Sequence, residues 1–392
     1  MALSSNGDIF FNSYDTLGTE VIRSSDRGRT WDEVSPRIGP AHTQVSLDPY
    51  LYIDPATDRI FEIDLTVACA TLAFSDDGGT SWLANPLACG TPVTDHQTLF
   101  AGAPVTSATV GYPNIVYYCS STFLFTMGAC SKSLDGGLTF LPTGTPAFEP
   151  SRADDVRGPC NGASGHGTAG SDGTIYLPRI HCAGDSHPPS LAISRDEGLT
   201  WDRVEVSTES GLGHEAGVAV DTKNNIYFVW SGQTDHLPYL AVSKDGGSTW
   251  SKPMMIGPPG LREGVLPTIA ASGRGKIAIA YMGTENSRFG GLPATGSETW
   301  NGYMTISATA LREEPLFFTS TVNAKNDPLG RGAVCFYRCI PGGDFFDIVI
   351  DGNGTVWSAF VDGCQTQCLS GNDNDESEGI VGRLRGGPSL RP

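Results

Sequence analysis

Apolar and polar residues alternate along this chain in short runs broken by polar turns, and helical spacing of the apolar positions is hard to find. Val218–Trp230 is the clearest stretch: an apolar Val-Ala-Val run, a polar Asp-Thr-Lys-Asn-Asn turn, then Ile-Tyr-Phe-Val-Trp. That pattern predicts two antiparallel strands. Thr168–Pro178, Ile269–Tyr281 and Asp347–Phe360 follow the same plan, and Val45–Leu65 and Leu99–Tyr118 follow it more loosely. Residues 2–11 look like the same unit with its first strand clipped. Seven units result, starting near residues 2, 42, 96, 166, 214, 263 and 344. They predict one all-β domain over residues 1–392, with no linker and four antiparallel strands per unit.

A second pattern follows the strand pairs. Ser243-Lys-Asp-Gly-Gly-Ser-Thr-Trp250 recurs in outline at Ser24–Trp31, Ser75–Trp82, Ser133–Phe140 and Ser194–Trp201. The frame describes a tight turn. Asp26, Asp77, Asp135, Asp196 and Asp245 can accept hydrogen bonds from the backbone of their own turn. The Gly two places on can take positive φ without a Cβ clash. The hydroxyl residue and the aromatic then open the next strand, with the aromatic packed between layers.

This frame resembles the Asp-box, or BNR, repeat of sialidases and related β-propellers. The resemblance implies a β-propeller of four-stranded blades, seven by the count above, with six, as in sialidases, the alternative. Asp-boxes occur in enzymes and non-enzymes alike, so the turn by itself assigns no activity. The sialidase resemblance further implies an arginine triad gripping a carboxylate, a Tyr–Glu nucleophile pair and an acid/base Asp. Glu215 and Tyr281 could make the pair, Arg179 and Arg262 sit nearest the expected face, and Asp154 or Asp155 could be the acid. The Phe-Arg-Ile-Pro motif of that family is absent; the chain has Leu177-Pro-Arg-Ile-His181 instead.

In a propeller the start of each first strand and the end of each second strand lie on one face. The residues opening the first strands align as His42, His96, His166 and His214, with Glu263 and Asp344 in comparable places. The chain has seven histidines, and two more, His181 and His236, follow second strands on the same face. Three readings stand. Neutral imidazoles converging on an axis would ligate Fe, Cu, Zn or Mn, with Glu215 or Glu263 completing the set. A His could instead carry protons beside Asp95, Glu215 or Tyr281. Or the histidines are an inherited structural feature of the repeat. The acidic loop Asn372–Glu378 has oxygen ligands at Ca²⁺-binding spacing without the full EF-hand pattern.

Composition narrows the partners. The 392 residues carry a net charge of −18, which argues against a nucleic-acid backbone and leaves no basic patch for a membrane surface. No apolar run is long enough to span a bilayer, and a monomer is expected. Ten cysteines fall in close pairs: Cys69/Cys89, Cys119/Cys130, Cys160/Cys182, Cys335/Cys339 and Cys364/Cys368. With no C-x-x-C among them, they read as five local disulfides in an oxidising compartment, extracellular or periplasmic. The opening Met1-Ala-Leu-Ser-Ser-Asn is not a signal peptide, so the expectation is a mature chain whose leader has been removed. Three function classes follow: a secreted glycan-active propeller (glycoside hydrolase or polysaccharide lyase) with its site at the channel mouth; a His-ligated metalloprotein, oxidoreductase or metal-assisted; and a non-catalytic propeller binding glycan or protein.

Overall fold

A computed structural model describes residues 1–15, 18–37, 46, 48–66, 69–85, 94–122, 127–149, 163–180, 187–212, 215–286, 298–332, 346–364 and 378–392. Every regular element among them is a β-strand. The strands form seven antiparallel sheets in chain order, the blades of a β-propeller. Five sheets have four strands, each strand bonded to the next in sequence. In the sixth, Gly330–Arg331 adds a fifth strand by pairing with Thr299–Ser307; the seventh shows three strands among the described residues. The count is therefore seven, and six is excluded.

The chain divides into two compact units, Met1–Glu205 with four sheets and Val206–Pro392 with three. Within each unit the first strands of neighbouring sheets pack on one another. Fourth strands such as Asp32–Glu33 and Leu141–Pro142 are short and exposed. First strands are thus innermost and fourth strands form the rim. Close approach is written into two glycines: a Cβ on Gly102 would come within 2.8 Å of the Ala169 Cβ, and one on Gly167 within 2.4 Å of the Phe100 ring.

Both faces of a middle strand are buried, which explains why the predicted strands read as continuous apolar runs as often as alternating ones. Ile226–Ser231 is buried at all six positions. Alternation then decides which neighbour each side chain meets. Phe61 and Ile63 pack with Leu99, Val116 and Tyr118 of the third sheet, whereas Ile60 packs with Phe10 and Val21 of the first. Between the third and fourth sheets, Phe100, Tyr117 and Phe148 meet Leu177, Ala192 and Trp201.

The five Ser-x-Asp turns share one hydrogen-bond scheme. In the turn after the fifth sheet's third strand, Ser243 Oγ donates to Asp245 Oδ1 at 2.8 Å and accepts the Gly247 N–H at 2.9 Å. Asp245 also accepts the Thr249 N–H and hydroxyl, at 2.9 and 2.6 Å. The same bonds recur around Asp26, Asp77, Asp135 and Asp196. These bonds hold the carboxyls of Asp26 and Asp245 down at about 2. The Gly at the expected place has positive φ in all five. Trp82 staples sheets as predicted: its Nε1 donates to Val34 O at 2.7 Å, across the first and second sheets.

Cys119 and Cys130, opposite each other on adjacent strands, form a disulfide. Cys364 is also disulfide-bonded. The remaining proposed pairs involve residues outside those described. The second sheet opens at Tyr50, eight residues beyond His42. The sixth sheet's third strand runs Thr299–Ser307 rather than from Tyr303.

Candidate functional site

Where first strands open and second strands end, the first unit gathers ionisable residues. Asp48 stands two residues ahead of Tyr50–Ile53, Asp95 and His96 lie in Thr94–Gly102, and His166 precedes Thr168–Ala169. The register explains how His96 is aimed. Thr98 pairs with Cys119 but Asp95 pairs with Ser121, so the first strand carries one extra residue there. Such a bulge re-aims side chains, and His96 takes φ +48° within it.

That geometry turns the His96 N–H onto two carboxylates, Asp95 Oδ1 at 2.8 Å and Asp48 Oδ2 at 3.2 Å. Gln97 Nε2 donates to Asp48 O at 2.6 Å, and Tyr118 donates to Gln97 Oε1 at 3.4 Å, fixing the approach of the second sheet to the third. The Asp95 carboxyl faces Asp48 as a hydrogen-bonding neighbour. Burial first, then that bond and the Asp95 charge, push the Asp48 carboxyl up to about 7, against the smaller opposing effect of His96. The His96 side chain is buried. The half-buried His166 sets its ring at 4.7 Å from Tyr50, edge to face. Tyr50 and His166 belong to the second and fourth sheets, so the opening of the second sheet touches the third through Asp48 and the fourth through Tyr50.

Arg179 ends the second strand of the fourth sheet on the predicted side, but its side chain is fully buried. The reason is packing: the guanidinium lies 4.5 Å over the Phe148 ring and bonds to Ser164 and Ser121. It offers solvent no surface with which to grip a substrate.

In the second unit, Glu263 opens the sixth sheet's first strand as expected, with Arg262 exposed beside it. The Arg262 N–H donates to Thr284 O at 2.8 Å. His236 Nδ1 lies 3.5 Å from Glu263 Oε2. Glu215 is half-buried just ahead of Gly217–Val220. Tyr281 is wholly inside the core, stacked 5.4 Å from Tyr303, with its hydroxyl 3.1 Å from Thr305 Oγ1. It is a packing residue, and burial pushes its phenol pKa up. The tyrosine–carboxylate pairs at this end are others: Tyr303 donates to Glu285 at 3.2 Å and Tyr239 to Asp235 at 2.6 Å. Both phenols are pushed up to about 12, by burial first, and remain donors. Asp155, His42 and His214 lie outside the described residues, as does the acidic loop apart from Glu378.

Sequence reasoning missed Asp48 and Glu285. For Asp48 a signal existed: Asp48-Pro49 sits directly before the strand, in the place where His166 and His214 stand in later units. Among the described residues no group of three or more His, Cys, Asp or Glu is disposed to hold a metal ion. No helix there is long and apolar enough to cross a membrane.

No protein-family model matches the chain, and no curated protein does. Solved structures do. An ulvan lyase of polysaccharide lyase family PL25, bound to a GlcA–Rha3S oligosaccharide, is similar with TM-score 0.57 at 11% identity, over 91% of this chain and 88% of that one. A protein of unknown function from Dyadobacter fermentans is similar with TM-score 0.51 at 15% identity, over 86% and 93%. A Hadza microbial sialidase, Hz136, aligns at TM-score 0.44 and 15% identity over 71% and 62%. At these identities the first two likenesses bear on the fold, and what they bear out is the β-propeller.

Proposed function

We propose that this chain is a glycan-cleaving enzyme working by acid–base catalysis, with the Asp48–Asp95 pair as its proton carrier and His96 and His166 beside it. One observation carries the reading: Asp48 and Asp95 both accept the His96 N–H where the second and third sheets open, and burial with the neighbouring acid pushes the Asp48 carboxyl up to about 7. A group that titrates near working pH can both give and take a proton. The ulvan lyase among the similar structures supports the substrate class.

The spacing of the acids speaks to the reaction. Two-carboxylate glycoside hydrolases hold their acids about 5–5.5 Å apart when retaining and about 6.5–9.5 Å apart when inverting. Acids in hydrogen-bond contact act as one proton store rather than as nucleophile and acid. A single acid–base unit flanked by histidines and Tyr50 suits elimination from a uronate-containing chain. The base takes the proton beside the uronate carboxyl, and the leaving oxygen takes one back.

The test is product analysis on a panel of uronic-acid polymers and sialosides, with wild type beside D48N and D95N. Unsaturated products from wild type, lost in both variants, support the proposal. Saturated reducing ends of equal yield would replace elimination with hydrolysis. Full activity in D48N would remove the dyad from the mechanism.

A further inference from the structure

Donors outnumber acceptors around Arg179. A guanidinium has five N–H protons and no acceptor. Nε donates to Ser164 Oγ at 3.1 Å, and Nη2 donates to Ser164 Oγ at 2.8 Å and Ser121 Oγ at 3.3 Å. Nη1 is buried with no partner. Ser121 Oγ already accepts the Ser164 N–H at 3.0 Å. Both hydroxyls therefore act as acceptors, and their own protons have no described recipient. Ser164 and Ser121 are as buried as the arginine, at 0% and 1% exposure. No carboxylate among the described residues pairs with the guanidinium. Its charged neighbour is Arg203, of the same sign, and together with burial it lowers the Arg179 pKa to about 9. The group still carries its charge at neutral pH.

A buried charge that meets no counter-charge among the described residues is costly, because its lost hydration is not repaid. Around it the two Nη1 protons and the two serine hydroxyl protons find no acceptor among the described residues. What satisfies such a place accepts hydrogen bonds, donates none and carries negative charge. Water meets only the first of these conditions. Full burial between the third and fourth sheets also sets the size: the ligand is small and built in with the fold, not brought by a polymer. We infer that Arg179 Nη1, Ser121 and Ser164 form a buried site for a small inorganic anion of the halide class, which neutralises the interface between the third and fourth sheets.

The experiment has two arms on the intact chain. Crystals grown in bromide are measured for anomalous scattering, and thermal unfolding is followed in sodium chloride, gluconate and glucuronate at equal ionic strength. A bromide peak at hydrogen-bond distance from Arg179 Nη1 is expected, with Tm about 2 °C higher in chloride than in gluconate. In R179M that difference vanishes, and in S121A/S164A it shrinks. If R179M does not fold, the wild-type bromide map decides alone. No peak, or a neutral water at Nη1, with equal Tm in chloride and gluconate, overturns the site. Stabilisation by glucuronate but not by chloride would also overturn it, by assigning the donors to a substrate carboxylate.

Discussion

At the scale of single residues, the Asp48–Asp95 pair is where charge, burial and position coincide. Its pH behaviour follows from sign. The folded Asp48 pKa lies above the ordinary carboxylate value near 4, so the native state holds that proton more tightly than the unfolded chain. The stabilisation is complete below about pH 4 and is lost as pH rises towards about 7. Wild type should therefore show a falling urea midpoint across that window, and D48N a flatter one. Asp26 and Asp245 act oppositely and elsewhere: their lowered pKa values stabilise above the ordinary range and fail as pH falls towards about 2. In activity, D48N should cost about 10²–10⁴-fold in kcat, and the titration limb near neutrality should disappear from the pH–rate profile. The sequence displayed Asp95 and His96 openly. Asp48 was hidden because only the bulge at His96 carries its N–H across to the neighbouring sheet.

At the scale of elements, the Ser-x-Asp turn closes each of five sheets, and the fourth adds a device of its own. Glu197, in the x position after Asp196, adopts φ +61° and reaches back to the third sheet's loop. Its Oε1 accepts the N–H groups of Val105, Thr106 and Ser107 at 2.8, 2.6 and 2.8 Å, and Lys132 lies 2.9 Å from Oε2. Those bonds overcome burial and hold the Glu197 pKa far below the usual range. E197Q should lower stability by about 3 kcal/mol, since a fully buried charge-assisted cluster loses its charge and one of its two acceptor oxygens; denaturant unfolding measures it. Asp135→Ala, in a turn that bridges no sheets through its carboxylate, should cost less, about 1–2 kcal/mol, with catalysis unchanged. The turn was legible because its bonds are local: donor and acceptor lie within four residues. The Glu197 anchor was not, because its partners are about 90 residues away.

At the scale of the whole chain, the histidine alignment is the expectation still to be measured. His96 and His166 stand at their strand openings, while His42 and His214 belong to segments outside the described residues. If the four ligate a transition metal, elemental analysis of untagged protein purified without chelator will give about one equivalent, and a His96→Ala/His214→Ala double variant will lose it. Protein without metal even after reconstitution would leave the histidines to proton transfer. The net charge of −18 bears on the same question, since an anionic polymer must approach an acidic surface. Activity on uronate substrates should accordingly rise with salt over the range in which charges are screened.

The class of strand, the seven blades and the chemistry of five turns were legible before any folding, because these depend on two-residue alternation and on contacts a few residues long. The sequence also shows that ionisable residues open the first strands. Which of them meet depends on how neighbouring sheets pack. Burial turned Tyr281 into a stacking residue and enclosed Arg179 among serines, although both were named from the sequence as site residues. Packing of the second sheet on the third brought Asp48 to Asp95, 47 positions apart by their numbering. Periodicity fixes which face a side chain leaves its own strand from. The neighbouring sheet fixes whether it finds solvent, an aromatic ring or another charge.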